Sequence, residues 1–152
     1  MPDTHFVACE PLTPESFAPF GQVLHSQPHE AAIALRDGES NVLKRFSDHA
    51  TGVAMSALTL VELERGLYKN PALTAARTPR LDSVVRHIPV LPFDADAARA
   101  YGVIIAQCGW SRGRDYDRMI AAHSISTRSI LVTNNASDFA DIPGLTLENW
   151  SV

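Results

Sequence analysis

The fold of this chain is decided by residues 115–139, which read DYDRMIAAHSISTRSILVTNNASDF. In residues 117–126 the apolar side chains recur at helical spacing, which predicts a helix with Arg118 facing water. Residues 129–133 are then apolar and rich in β-branched side chains, as in a buried parallel strand. A helix followed by such a strand is half of a βαβ unit. The stretch therefore predicts an α/β fold with a mostly parallel sheet.

Polar side chains gather where this predicted strand ends: Thr133, Asn134, Asn135 and Asp138. Ligands of open parallel sheets bind at the carboxyl ends of the strands. Asp117, at the start of the preceding helix, could approach the same edge. Two carboxylates and an amide there would suit Mg²⁺ or Mn²⁺, which prefer hard oxygen ligands.

Each of these residues also has an ordinary structural interpretation. The helix dipole alone favours Asp117 in a first turn. Asn134 and Asn135 are common turn residues after a strand, and Asp138 could cap a following turn. The metal-site hypothesis therefore depends on their coincidence at one predicted sheet edge.

Composition limits the possible classes of protein. The chain has 152 residues, of which 45% are hydrophobic and 20% charged, with a net charge of −4, so one globular domain is expected. The negative charge argues against a general nucleic-acid coat but allows an enzyme that acts on RNA. No apolar run approaches the roughly 18 to 20 residues needed to span a bilayer. Cys9 and Cys108 show no metal or redox spacing, which favours reduced thiols in the cytoplasm.

The rest of the chain alternates between strand and helix patterns. We predict strands at residues 21–26, 53–56, 88–92 and 145–147, the last at a sheet edge, and helices at 41–49, 59–68, 81–86 and 95–108. Two prolines in residues 70–79 predict a connection or loop. Five prolines in residues 1–30 predict a less regular N-terminal segment.

Glu62 has two interpretations. Thr59-Leu60-Val61-Glu62 is a capping-box pattern, in which Glu62 bonds back to the start of its own helix. As a metal ligand, Glu62 would instead point to the sheet edge where Ser56 leaves its strand.

Four groups of motifs carry a family resemblance: SALTLVEL at 56–63; LPFD at 91–94 with ARAYG at 98–102; YDRMIAAH at 116–123; and LVTNN at 131–135, continuing through Asp138-Phe139 to IPGL at 142–145 and ENW at 148–150. On these motifs, residues 31–150 resemble the PIN-domain ribonuclease toxins of the VapC type, which form half of a type II toxin–antitoxin pair.

The resemblance implies a three-layer PIN fold, Mg²⁺- or Mn²⁺-dependent cleavage of RNA, a cognate antitoxin and a homodimer. Glu62 and Asp117 match two acidic metal-site residues of the family. Asn135 and Asp138 match its last, more variable polar positions. The implied catalytic residues are therefore these four, with Glu62, Asp117 and Asp138 as metal ligands.

The family's first metal-site aspartate has no counterpart here. It normally ends a strand that reads Leu-Asp-Thr-Asn, and residues 31–38 resemble the continuation of that motif. Counting back without a gap reaches Pro28, a three-residue shift reaches His25, and Glu30 is out of register. Residues 11–21 instead resemble the start of a ureidoglycolate lyase. We therefore divide the chain into an atypical segment, 1–30, in which the first strand is replaced or atypical, and a PIN domain, 31–152.

Two functional hypotheses follow. The first is a metal-dependent endoribonuclease toxin, whose activity the missing aspartate would impair. The alternative is a catalytically weak PIN-like protein that acts mainly by binding an antitoxin, with apolar helices around Leu43, Leu60 and Leu67 forming a groove for it.

Overall fold

The structure is a computed structural model and describes residues 22–24, 52–133 and 135–149. Its strands are β1 (Gln22–Leu24), β2 (Val53–Ser56), β3 (Val90–Leu91), β4 (Ile130–Val132) and β5 (Thr146–Glu148). Its α-helices are α1 (Ala57–Lys69), α2 (Pro71–His87), α3 (Ala95–Cys108) and α4 (Asp115–Ser126). Two short 3₁₀ helices are at Arg112–Arg114 and Ala136–Phe139. The helix predicted at 41–49 lies outside the described residues.

The five strands form one sheet in the order β3-β2-β1-β4-β5, and all four pairings are parallel. The predicted α/β fold with a parallel sheet is confirmed, and β5 is an edge strand as expected. The central strand, β1, comes from the atypical segment 1–30. Its Leu24 is in register with Val132 of β4, so the carboxyl end of β1 lies between those of β2 and β4. The division of the chain at residue 30 stays a prediction.

The prediction of a loop at residues 70–79 was wrong, because α2 runs through both prolines. Pro71 is at the first helical position, where a missing N–H costs nothing. Pro79 lies inside the helix and removes one hydrogen bond. Leu81, only 1% exposed, anchors the following turn in the core. Burial of that turn outweighs the local cost of the proline.

The core lies between the sheet and the helices. Its members include buried residues of β2, α1, α4 and β4: Met55, Leu63, Leu67, Ile120, Ala121, Leu131 and Val132. Leu60 packs against this cluster and Leu67 is inside it. Leu67 is therefore buried, Leu60 is half-buried, and Leu43 lies outside the described residues, so the antitoxin groove stays a prediction. The large apolar residues that α1 does expose are Val61 and Tyr68.

Arg118 is buried, which corrects the expectation that it faces water. Its side chain is enclosed where α3 packs on α4, and its Nη2 donates to Oδ2 of Asp141 at 2.9 Å. The same carboxylate lies 3.4 Å from Nη1 of Arg114. Helical periodicity alone could not predict the burial of Arg118, because its partner Asp141 follows β4 in the sequence.

None of the helices in the described ranges is long and apolar enough to cross a membrane. The cytoplasmic location stays a prediction.

Candidate metal centre

The candidate site lies at the edge of the sheet where β2, β1 and β4 have their carboxyl ends. Ser56 ends β2 and is also the N-cap of α1, where its Oγ accepts a hydrogen bond from the backbone N–H of Leu58 at 3.1 Å. The strand therefore passes directly into the helix that carries Glu62.

Glu62 is 6% exposed and lies in the second turn of α1. A capping box needs the acid three residues after the N-cap. The helix begins at Ala57 with Ser56 as its N-cap, so Glu62 lies six residues after the N-cap. The capping-box interpretation of Glu62 is therefore wrong. A buried carboxylate without that role needs another explanation, since burying a charge is costly.

Asp117 lies close enough to Glu62 for the two charges to interact. The pKa of Glu62 is raised to about 7, chiefly because burial disfavours its charge and also because Asp117 repels it, while Arg65 lowers it. Asp117 is in the first turn of α4, where the helix dipole favours it as well. The structure thus brings together two acids that are 55 positions apart in the sequence.

Asn135 and Asp138 form a pair of their own after β4. Nδ2 of Asn135 donates to Oδ2 of Asp138 at 2.9 Å, and the backbone N–H of Asn135 donates to Oγ1 of Thr133 at 3.1 Å. The hydroxyl of Ser137 donates to the amide oxygen of Asn135. Asn135 therefore holds Asp138 in orientation. Asn134 lies outside the described residues.

A three-carboxylate cluster is not formed by the residues described. Within 52–133 and 135–149, no three His, Cys, Asp or Glu side chains lie close enough to hold a metal ion together. Glu62 and Asp117 lie close enough to interact electrostatically, and Asp138 does not join them as a third acid. The positions considered for the family's first aspartate, His25 and Pro28, lie outside the described residues, as does Glu30.

The residues present nevertheless fit a Mg²⁺ or Mn²⁺ ion. Glu62 and Asp117 offer only carboxylate oxygens, and Mg²⁺ is commonly bound by one or two carboxylates, with water and substrate phosphates as its other ligands. A divalent cation between the two acids would also offset their mutual repulsion.

His123 is a residue of this region that the sequence did not single out. It is 1% exposed, and its Nδ1 is 2.8 Å from Oγ of Ser56. The ring meets Phe93 edge-on, with 5.6 Å between ring centroids. It also bonds to the backbone of Pro92, which has only a carbonyl to offer. Neutral His123 therefore donates from Nε2 to Pro92 and accepts at Nδ1 from Ser56.

Burial lowers the pKa of His123 to about 4, although Asp94 and the bond to Pro92 raise it. The ring is thus neutral near pH 7 and ties α4 to the cap of α1. In the sequence His123 ends the YDRMIAAH motif and lies three residues after Ile120, a spacing that is equally typical of any core residue.

Comparisons with known proteins show the family to which this chain belongs. The PIN domain family model matches residues 30–145. The tRNA(fMet)-specific endonuclease VapC of Shigella flexneri is 33% identical over 122 residues, covering 78% of this chain and 91% of that protein. The chain belongs to the PIN domain family, in its VapC branch.

Solved structures of the family have the same architecture. DNA-bound VapBC from Salmonella typhimurium aligns with a TM-score of 0.73 and 26% identity, covering 86% of this chain and 98% of that one. VapBC-5 from Mycobacterium tuberculosis, a member of the VapBC family of toxin-antitoxin systems, has a TM-score of 0.52 and 32% identity, covering 64% and 80%. The family resemblance read from the motifs is confirmed.

Proposed function

We propose that this protein is a metal-dependent endoribonuclease, the toxin of a toxin–antitoxin pair. The observation that carries the proposal is the buried Glu62 beside Asp117 at the carboxyl edge of a parallel sheet. Membership of the PIN family, and a VapC relative named as an endonuclease, support RNA as the substrate.

In this proposal Glu62 and Asp117 bind Mg²⁺ or Mn²⁺ through their carboxylate oxygens. Asp138 acts from outside this pair and helps to orient the surroundings of the ion without binding it, and Asn135 holds Asp138 through the bond between Nδ2 and Oδ2. When bound, the ion supplies positive charge for the developing charge on the phosphodiester and lowers the pKa of water. The burial of Glu62 limits the access of bulk water to the pair, which strengthens electrostatic interactions there.

The same proposal predicts modest metal affinity. A site with one carboxylate fewer has less negative charge to hold the ion, and loss of a supporting group commonly costs on the order of 10- to 100-fold in affinity or activity. We therefore expect cleavage that needs a high concentration of metal.

The test replaces each acid with its amide. Glu62→Gln and Asp117→Asn should each abolish RNA cleavage in Mg²⁺ or Mn²⁺, because a neutral amide removes the charge while nearly keeping the shape. Thermal unfolding should show that both variants stay folded.

Two exposed acids serve as matched controls: Glu64→Gln on α1 and Asp96→Asn, whose carboxylate forms a surface pair with Arg99. Both should cleave like the unmodified protein. Full cleavage in EDTA, or full activity of the Glu62 and Asp117 variants, would show that the proposal is wrong.

A cognate antitoxin is part of the proposal, because the solved neighbours are VapBC complexes. The second candidate is a catalytically weak protein whose main role is to bind that antitoxin. It is favoured by one observation, that no third acid joins Glu62 and Asp117 in the part of the chain that is described. The homodimer stays a prediction.

A further inference from the structure

Tyr116 forms a hydrogen bond between the two helices that carry the paired acids. It is the second residue of α4, and its hydroxyl donates to the backbone carbonyl of Leu58 in the first turn of α1. The two residues are 58 positions apart in sequence, so the bond is a tertiary contact.

Both ends of this bond adjoin the candidate metal site. Tyr116 immediately precedes Asp117. In an α-helix the carbonyl of residue i accepts the N–H of residue i+4, so the carbonyl of Leu58 is also the acceptor for the N–H of Glu62. A single oxygen atom therefore connects the turn that holds Glu62 with the side chain next to Asp117.

The pKa of Tyr116 also indicates that its hydroxyl lies near Glu62. Its pKa is raised to about 12, mainly by burial and then by the charge of Glu62, with Arg65 acting in the opposite direction. At any pH at which the protein would work, the hydroxyl keeps its proton and can donate it.

We propose that Tyr116 is a positioning residue that sets the spacing of Glu62 and Asp117 through its bond to Leu58. It acts through the two acids and touches neither substrate nor metal. The inference rests on the proposed function and deepens it. A site that is slightly too loose loses metal affinity and catalytic rate, while the binding of RNA along the rest of the surface stays unchanged.

The experiment compares Tyr116→Phe with a matched control, Tyr101→Phe. Each variant keeps its ring and loses one hydroxyl. Tyr101, on α3, donates its hydroxyl to Oδ1 of Asp115 at the same end of α4, so its loss changes a neighbouring helix contact without involving α1.

Binding of Mn²⁺ is measured directly by electron paramagnetic resonance, and RNA cleavage is measured as kcat and KM against metal concentration. Tyr116→Phe should weaken Mn²⁺ binding on the order of 10-fold and lower kcat with little change in KM. Tyr101→Phe should match the unmodified protein in both assays. Thermal unfolding should show that the two variants lose similar stability, since each loses one hydrogen bond.

Unchanged Mn²⁺ binding in Tyr116→Phe would overturn the inference, and so would an equal loss in both tyrosine variants, which would indicate general loosening of α4. Glu62→Gln separates this failure from failure of the proposed function. If Glu62→Gln loses Mn²⁺ and Tyr116→Phe does not, only the inference is wrong. If the unmodified protein binds no Mn²⁺, both are wrong.

Discussion

His123→Phe should change how the stability of this protein depends on pH. Phenylalanine keeps a ring of similar size against Phe93 but cannot titrate and cannot accept the hydroxyl of Ser56. In the folded protein His123 has a pKa of about 4, against 6.5 for an ordinary histidine. Because the unfolded chain takes up this proton first, the stability from the neutral ring is complete above pH 6.5 and is lost as pH falls through 4.

The size of the effect follows from the difference in pKa. A shift of about 2.5 pKa units corresponds to about 3 kcal/mol of unfolding free energy, lost between pH 6.5 and 4. His123→Phe has no titrating ring at this position, so it does not lose this free energy as the pH falls. At pH 7 the variant should be less stable by about 2 kcal/mol, because it loses the hydrogen bonds of His123 to both Ser56 and Pro92, at about 1 kcal/mol each. The two stability curves should therefore cross at about pH 5, and below that pH the variant should be the more stable protein.

Urea unfolding followed by circular dichroism, at intervals from pH 4.5 to 7.5, measures both curves. The substitution removes a single titratable side chain, so the difference between the two stability curves reports the loss of His123. Ser56→Ala is the control. It removes the hydrogen bond but leaves the buried ring, so it should lower stability at every pH and keep most of the slope. A constant gap between His123→Phe and the unmodified protein would refute the reasoning.

Two other predictions concern the partner and the missing acid. Co-expression with neighbouring reading frames of antitoxin size should give a complex that survives affinity purification, and failure to retain any small protein would count against the antitoxin proposal. Restoring an aspartate where the family has one should lower the metal concentration needed for RNA cleavage on the order of 10-fold. His25→Asp and Pro28→Asp test the two possible registers, and we expect the gain from His25→Asp, because β1 ends at Leu24 and His25 is the next residue. Equal Mn²⁺ requirements in both variants and the unmodified chain would show that no aspartate is missing.

The elements that the sequence predicted well are those whose signals are local. The helix predicted at 95–108 has those bounds in the structure, where Asp94 caps it by accepting from the N–H of Ala97 at 2.9 Å and Gly109, with a φ of 74°, ends it. The strand after α4 was found because it is an uninterrupted apolar run, and its observed bounds are Ile130–Val132. The error at α2 has the opposite origin. Pro79 is a local breaker, and the burial of Leu81 that outweighs it is a tertiary effect.

The candidate site was predictable only to the level of residue types. The motifs predicted the four polar side chains and the sheet edge, but they did not predict which of these side chains interact with each other. The sequence gives no sign that Asn135 bonds to Asp138, or that the charge of Glu62 responds to Asp117. It also offered a capping box for Glu62 that the true start of α1 removes.

The position of β1 shows what a third acid would add to the site and what it would cost. Glu62 follows β2 through α1 and Asp117 precedes β4 in α4, so they approach the carboxyl end of β1 from its two neighbouring strands. An acid directly after β1 would be the third charge in a place where two already repel each other. Without metal, a third carboxylate would raise the cost of folding, and with metal it would strengthen binding. We therefore expect a chain with histidine after Leu24 to bind metal more weakly and to be more stable in the metal-free state. The His25→Asp variant should show both changes together, with tighter Mn²⁺ binding and a lower melting temperature in EDTA.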